Sequence, residues 1–182
     1  MGEIQQPEPV LAIMAAFSRH EAALAWAADQ AAARWGNLIL TSDMFAFEAT
    51  DYYRDSMGSG LQKRFWAFER LTDQGELADR KILANQWEQQ YAVEAQTAEL
   101  RPLNIDPGYL SRGKLVLAST KDHSHRIYLR DGIFAEATLY YKDRQWQSRE
   151  WTFPDYRRAD YHAFFERCRD YLKGRLRREP CS

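Results

Sequence analysis

Hydrophobic residues near the start of the chain follow two different periods. Residues 10–17 form an unbroken apolar run, which is typical of a strand that is covered on both faces in the middle of a sheet. In residues 20–35 the larger apolar side chains recur at helical spacing up to Trp35, and Gly36 follows as a C-terminal stop. Residues 38–47 are predicted to form a second strand. The pattern therefore predicts strand, helix, strand.

The next hundred residues continue with further alternating segments. Residues 62–69 alternate as a third strand would. Asp73 lies three residues before Glu76, the spacing of a capping box, and predicts the start of a second helix. Residues 101–109 contain a proline near each end, which favours an edge strand or an ordered loop over a central strand. Three more strands are predicted at 114–120, 125–130 and 133–141.

The chain closes with an amphipathic helix that begins near Pro154. Its apolar stripe consists of Tyr161, Phe164, Phe165, Cys168 and Leu172. The order β-α-β-β-α predicts a ferredoxin-like α+β start, extended by an antiparallel hairpin sheet and by this C-terminal helix packed on the sheet. Residues 114–141 leave no room for the crossover helices of a doubly wound fold. A single domain over residues 1–182, with an ordered core at about 9–176, is expected.

The dipeptide Asp131-Gly132 is a strong signal for a type I′ hairpin turn. Counting back from a two-residue turn places Ile127 opposite Glu136. The same register places His125 opposite Thr138 and diagonal to Glu136.

The segment 121–124 is expected to be the preceding hairpin connection, so that Thr120 pairs with His125. The shared face would then also carry Lys114, Val116, Ala118 and Tyr140. A cluster of His, Glu and Thr on one sheet face predicts an acid/base and hydrogen-bonding site. The alternative is an ordinary half-exposed sheet face, because such cross-strand pairs are common there.

Two sets of functional residues follow from this cluster. The catalytic candidates are His125 as general acid or base, Glu136 as its orienting carboxylate, and Asp122 or Asp106 as a second carboxylate. The ligand-binding candidates are Lys121 and Arg126, which would contact a phosphate, with Thr120, Thr138, Lys114, Tyr52 and Trp151. Tyr52 and Trp151 belong to an aromatic-rich set that suits either a stacking platform or core packing.

Known nucleotide, metal and nucleophile motifs do not account for these residues. Residues 58–63 lack the spacing of a P-loop, and strand-like residues follow them instead of a helix. Residues 120–122 lack the intervening position of the GTPase Thr-Lys-x-Asp motif. No metal site is predicted, since no motif fixes the ligand geometry around His123 and His125. Cys168 lies on the apolar stripe and is expected to be an inert core thiol.

Composition adds limits on location and partners. The 182 residues include two cysteines, carry a net charge of −1 and contain no apolar run of membrane-spanning length. The N-terminus lacks the features of a signal peptide, so a cytoplasmic protein without a membrane partner is expected. Residues 157–178 carry eight basic and three acidic side chains. This segment is either a solvated helix face or a contact for RNA or phosphate.

Several long strings resemble one bacterial family, the domain of unknown function numbered 4416. They comprise residues 51–53, 57–58, 68–69, 71, 103–110, 115–122, 125–129, 132–139 and 151–156, and the resemblance spans about 9–172. It implies no established activity, cofactor or catalytic residue. Members are often labelled GTP-binding proteins, which implies a nucleotide site outside the P-loop class around Lys121, Asp122, His125, Arg126 and Glu136.

Three functional hypotheses remain open at this point. The first is a module that binds a nucleotide, GTP being one candidate, another phosphate-bearing ligand or RNA. The second is a small enzyme that uses His125 with Glu136. The third is a structural or interaction protein, for example a homodimer formed through a sheet edge.

Overall fold

The computed structural model describes residues 2–47 and 53–178, which form nine strands and four helices. The strands are β1 (Val10–Ser18), β2 (Leu38–Thr41), β3 (Phe45–Ala46), β4 (Gln62–Thr72), β5 (Asn104–Leu110), β6 (Lys114–Ser119), β7 (Ile127–Arg130), β8 (Ile133–Lys142) and β9 (Gln145–Ser148). The helices are α1 (Glu21–Trp35), α2 (Arg54–Met57), α3 (Leu77–Glu94) and α4 (Ala159–Arg178). None of the helices in these ranges is long and apolar enough to cross a lipid bilayer.

The strands form one antiparallel sheet in the order β2-β4-β1-β5-β6-β8-β7, with β3 beside β4 and β9 beside β8. The order β2-β4-β1-β5, connected through α1 and α3, is that of a ferredoxin-like unit. Strands β6 to β9 extend this unit on one side. The α+β prediction, with its extended antiparallel sheet and C-terminal helix, is confirmed.

Strand β1 explains why the sequence begins with an unbroken apolar run. Leu11, Ile13 and Ala15 pack in the core beneath α4. Met14 and Ala16 pack on the opposite face, against α1 and α3. Because each face of the sheet is covered by a helical layer, both sets of alternating side chains in this central strand are buried.

Helix α4 docks through the predicted stripe. All five of its members are buried against the sheet, namely Tyr161, Phe164, Phe165, Cys168 and Leu172. Pro154 lies in a 3₁₀ turn just before the helix, a position where a missing N–H costs little. The helix therefore closes the second layer of the molecule as its pattern predicts.

The prediction that residues 101–109 avoid the centre of the sheet is wrong. Strand β5 lies between β1 and β6, and Pro107 is paired with Met14 of β1. Pairing with β6 begins only at Gly108. On that side Pro107 lies beyond the hydrogen-bond ladder, so its missing N–H breaks no bond there.

The predicted strand over residues 38–47 is two short strands, β2 and β3. Between them the Ser42 hydroxyl accepts a hydrogen bond from Phe65 N–H at 2.9 Å, which interrupts the regular ladder with β4. Strand β9 was not predicted. It returns from β8 through Asp143 and Arg144, which adopt positive φ angles without glycine.

The Asp131-Gly132 turn forms with both residues at positive φ, as a type I′ turn requires. The predicted register beyond it is wrong. A bulge between Tyr128 and Arg130 shifts the pairing by one residue, so Ile127 lies opposite Ala135 rather than Glu136.

The predicted pairing of Thr120 with His125 is also wrong. Strand β6 pairs with β8, Ser119 lying opposite Phe134, and β7 lies on the far side of β8. The segment 120–126 must therefore cross over β8. Val116 and Ala118 pack on the α3 side of the sheet, so they do not share a face with Glu136, whose cross-strand partner Leu117 packs beneath α4.

Candidate ligand-binding cleft

A cleft opens where strands β5 and β6 diverge. The two strands pair from Leu110 opposite Leu115 to Gly108 opposite Leu117. Beyond Gly108, β5 remains paired with β1 and β6 remains paired with β8, but no pairing joins β5 to β6. A β-carbon at Gly108 would lie 2.4 Å from the carbonyl oxygen of Val116. The strands therefore meet at a close backbone contact and separate immediately after it.

Side chains of α3 take the place of the missing strand. Ile105 N–H donates to Glu88 Oε1 at 2.7 Å, and Ile105 C=O accepts from Lys81 Nζ at 2.7 Å. Lys81 also donates to Asp106 Oδ1 at 3.2 Å, and Asn104 donates to Asp106 Oδ2 at 2.9 Å. Because the polar groups of this β5 edge have partners, the edge is stable without β6 beside it.

The cleft encloses about 870 Å³, within the range of small-molecule sites. Its walls come from α3, from the turn that precedes α4 and from the 120–126 segment. The charged side chains that line it are Lys63, Lys81, Glu88, Arg101, Asp106, Lys121, Arg126, Glu136 and Asp155. Burial raises the pKa of Glu88, although neighbouring Lys81 opposes the shift.

At its inner end the cleft has a buried ion pair. Lys63 Nζ lies 2.7 Å from Asp155 Oδ2, and both side chains are more than nine-tenths buried. The ammonium is surrounded by five aromatic rings with centroids 4.3 to 5.9 Å away, those of Phe17, Phe47, Phe65, Tyr156 and Tyr161. Asp155 and the ring faces both interact favourably with the ammonium group, which compensates for its loss of water.

Tyr156 completes this inner end. Its ring is the closest to Lys63, its side chain lines the cleft, and its hydroxyl is buried without a hydrogen-bond partner among the described residues. Burial raises the pKa of Tyr156 well above its usual value, and the charges of Asp155, Asp106 and Glu136 raise it further. The hydroxyl therefore stays protonated.

At the outer end, Glu136 is the centre of a hydrogen-bond network. Its Oε2 accepts from Arg126 Nε at 2.9 Å and lies 3.1 Å from His125 Nε2. Its Oε1 accepts from the Thr138 hydroxyl at 3.3 Å. Arg126 also donates to the Ser119 hydroxyl at 2.6 Å and to the Lys121 carbonyl at 3.0 Å. The crossing segment is thus fastened to β8 through one buried carboxylate.

Three stacked rings flank the mouth of the cleft. The His125 ring lies between those of Trp151 and His123, with centroids 5.4 and 5.8 Å away and planes within 14° of parallel. His123 lines the cleft, as does Phe153, which is half exposed. A planar group at the mouth would meet exposed aromatic surface.

The structure brings some of the predicted residues together and separates others. His125 and Glu136 are in contact, and Glu136 lines the cleft with Thr120, Lys121 and Arg126, whereas His125 is not part of the lining. Thr138 is fully buried and contacts Glu136 rather than the open space.

The remaining predicted residues lie outside the cleft or outside the described residues. Asp122 is exposed and is not part of the lining, and Trp151 reaches the site only through its stack on His125. Lys114 lies at the opposite end of β6, beside Tyr140. Tyr52 falls outside the residues that the structure describes.

Sequence reasoning missed the inner end of the cleft. Lys63 lies on the same face of β4 as Phe65 and Ala67. A lysine among apolar residues on one strand face indicates a buried charge, and this could have been predicted from the sequence. Its partner Asp155 is 92 positions away and has no local pattern that connects the two. Lys81 and Glu88 were not predicted as site residues either, because the charged residues of α3 resemble those of a solvent-exposed helix face.

Within residues 2–47 and 53–178, no three His, Cys, Asp or Glu side chains converge where they could hold a metal ion. The glycines at 58 and 60 lead into β4 rather than a helix, so the described residues around them do not form a P-loop.

The fold and the cleft define an α+β protein with a ferredoxin-like unit, an extended sheet and a polar cavity at the break between two strands. Comparison with family models gives a match over residues 8–171 to DUF4416, a domain of unknown function. The chain therefore belongs to the DUF4416 family. Neither the curated proteins nor the solved structures contain a match to it.

Proposed function

We propose that this protein binds a small phosphate-bearing molecule, such as a nucleotide, in the cleft between β5 and β6. The observation that carries the proposal is the satisfied open edge of β5, where Lys81 and Glu88 replace a neighbouring strand. An accidental packing defect would leave buried backbone groups without partners at this edge. A cleft that is stable while open is suited to receive a ligand.

The charge of the cleft favours an anionic ligand. The described lining holds five Lys and Arg side chains against four carboxylates. Five ion contacts join Lys63 to Asp155, Lys81 to Asp106 and to Glu88, Arg101 to Glu88, and Arg126 to Glu136. Lys121 and His123 add donors at the exposed rim, where a phosphate would keep part of its hydration.

The ring stack supports a nucleotide within this class. His123 ends the stack on the side that lines the cleft, so the base of a nucleotide such as GTP could extend it. This mode of binding differs from a P-loop, since side chains and not a helix N-terminus would hold the phosphates.

A thermal-shift panel with GTP, GDP, ATP, inorganic phosphate and short RNA tests the proposal. A ligand at 100 times its Kd stabilises the native state by about 2.7 kcal/mol, which is readily measured. The variant Lys121→Glu should require an at least tenfold higher ligand concentration to give the same shift in melting temperature. Lys114→Glu is the matched control, because that lysine is also exposed but lies at the start of β6, the end of the strand away from the cleft. No shift with any phosphate-bearing compound would refute the proposal.

A second candidate function is acid/base catalysis by His125. The contact between His125 Nε2 and Glu136 Oε2 favours it, because a carboxylate of this kind fixes the orientation of a catalytic imidazole. Asp106, which lines the cleft, would be the second carboxylate. If the variant His125→Gln turns over a phosphate ester at the wild-type rate, His125 does not have this role. If the variant loses turnover but still binds the ligand, the role is supported.

A further inference from the structure

The inner end of the cleft differs chemically from its rim. Lys63, Asp155 and Tyr156 are all buried, all line the cavity and lie next to one another. We call these three residues, with the rings of Phe17 and Phe47, the inner pocket. The rim instead carries the exposed Lys121 and His123 and the 120–126 segment.

The charges of the inner pocket cancel. Lys63 and Asp155 form a close pair of opposite charges, so a ligand group with a net charge would gain from one and lose to the other. Unused hydrogen-bonding capacity nevertheless remains. Among the described residues, Lys63 donates one hydrogen bond and has two further N–H groups, and Asp155 accepts that bond through Oδ2. The Tyr156 hydroxyl has no partner among the described residues.

These groups offer donors and acceptors side by side between aromatic faces. A hydroxyl group donates and accepts at once and carries no charge, so it can use both. The C–H faces of a sugar ring would in turn pack on Phe17, Phe47 and Tyr156. We propose that the inner pocket binds the hydroxyl groups of a sugar, so that the ligand of the cleft is a sugar phosphate, free or as part of a nucleotide.

The inner pocket is less favourable than the rim for the phosphate itself. Asp106, Glu136 and Asp155 all act on the Tyr156 hydroxyl and oppose its ionisation. A phosphate in the inner pocket would lie beside the Asp155 carboxylate, which already neutralises Lys63. At the rim it meets Lys121 and His123 instead. This orientation rests on the proposed function, since it takes the phosphate site as given.

The test compares ligands that share a phosphate but differ in their hydroxyl groups. Titration calorimetry would measure ribose 5-phosphate, glucose 6-phosphate and glycerol 3-phosphate against butyl phosphate and inorganic phosphate, with GMP as the nucleotide arm. At least one hydroxylated compound should bind about tenfold more tightly than butyl phosphate, the gain of roughly one good hydrogen bond. GMP that binds more tightly than ribose 5-phosphate would identify a nucleotide as the source of the sugar.

Tyr156→Phe keeps the ring and removes only the hydroxyl. It should abolish the preference for the hydroxylated compounds and leave the affinity for butyl phosphate unchanged. Tyr161→Phe is the matched control, because that hydroxyl is also buried without a partner in the described structure but does not line the cleft. It should change neither affinity.

The possible results separate this inference from the proposed function. Equal affinity for butyl phosphate and all hydroxylated compounds, or a preference that survives in Tyr156→Phe, overturns the inner-pocket inference while phosphate binding stands. No binding of any phosphate compound overturns both.

Discussion

At the scale of single residues, Lys63 is a buried charge whose replacement has a large energetic consequence. It carries an ammonium group into a buried site, where Asp155 and five aromatic rings replace its water. Such a pair contributes little net stability compared with a well-packed apolar pair, but removing one partner leaves an unpaired buried charge.

We therefore expect Lys63→Met to lower the free energy of unfolding by about 3–5 kcal/mol, because Asp155 loses its counter-charge. The double variant Lys63→Met with Asp155→Leu should recover much of this loss. Urea denaturation of the two single variants and the double variant measures the coupling. If the loss of unfolding free energy in the double variant equals the sum of the losses in the two single variants, the two charges do not stabilise each other.

At the scale of elements, the pairing of β5 with β6 depends on one glycine. A β-carbon at Gly108 would lie 2.4 Å from the backbone oxygen of Val116, and backbone cannot move aside as a side chain can. Gly108→Ala should therefore force the strands apart and lower the melting temperature by several degrees, as a destabilisation of about 2 kcal/mol would. Gly113→Ala, in the turn between the same strands, has open space around it and should leave the melting temperature nearly unchanged.

Another element-scale contact links the end of β1 to the segment that follows α3. Glu99 lies 3.0 Å from both His20 Nε2 and Arg19 Nη1. The hydrogen bond from His20, with the Arg19 contact, lowers the pKa of Glu99 from 4.5 to about 2.

A carboxyl group whose pKa is lowered by folding stabilises the native state above its unfolded pKa, and this stabilisation is lost as the pH falls towards its folded pKa. The Glu99 contribution should thus be complete above about pH 4.5 and disappear towards pH 2. Thermal melts across this window should show a shallower loss of stability in Glu99→Gln than in the wild type. Identical slopes in the two proteins would contradict the assignment.

At the scale of the whole molecule, α4 joins the ferredoxin-like unit to the extension of the sheet. Phe165 is fully buried and contacts the rings of Phe65 in β4 and Trp146 in β9. The core beneath α4 therefore includes strands from both parts of the sheet.

Phe165→Ala should lower the free energy of unfolding by about 3–5 kcal/mol, because it opens a cavity where the two parts meet. Arg177→Ala, on the exposed end of the same helix, is the control and should change stability by less than about 0.5 kcal/mol. Fluorescence and circular dichroism should report one common denaturation midpoint. Separate midpoints for the two parts would contradict a shared core.

Local patterns in the sequence determined much of the secondary structure. The apolar run of β1, the stripe of α4 and the Asp131-Gly132 turn each depend on residues close together in the chain. Their periods and turn chemistry act within a few residues, so they can be recognised without knowing the fold. The resemblance to the family rested on equally local strings and is confirmed.

The predicted contact of His125 with Glu136 is present, but it forms in a different way. Local sequence patterns did not predict the one-residue bulge in β7, nor that β8 lies between β6 and β7. Arg126 joins His125 on the same carboxylate because the crossing segment passes over β8. Strand order and bulges result from packing against distant elements, which a local pattern does not encode.

The cleft itself was decided by tertiary structure alone. It exists because β5 and β6 separate after Gly108 and because Lys81 and Glu88 of α3 satisfy the edge of β5. Its inner end depends on Lys63 meeting Asp155 across 92 positions of sequence. Local periodicity selects which segments become strands and helices, whereas burial of charge and satisfaction of open backbone groups depend on what the whole fold brings together.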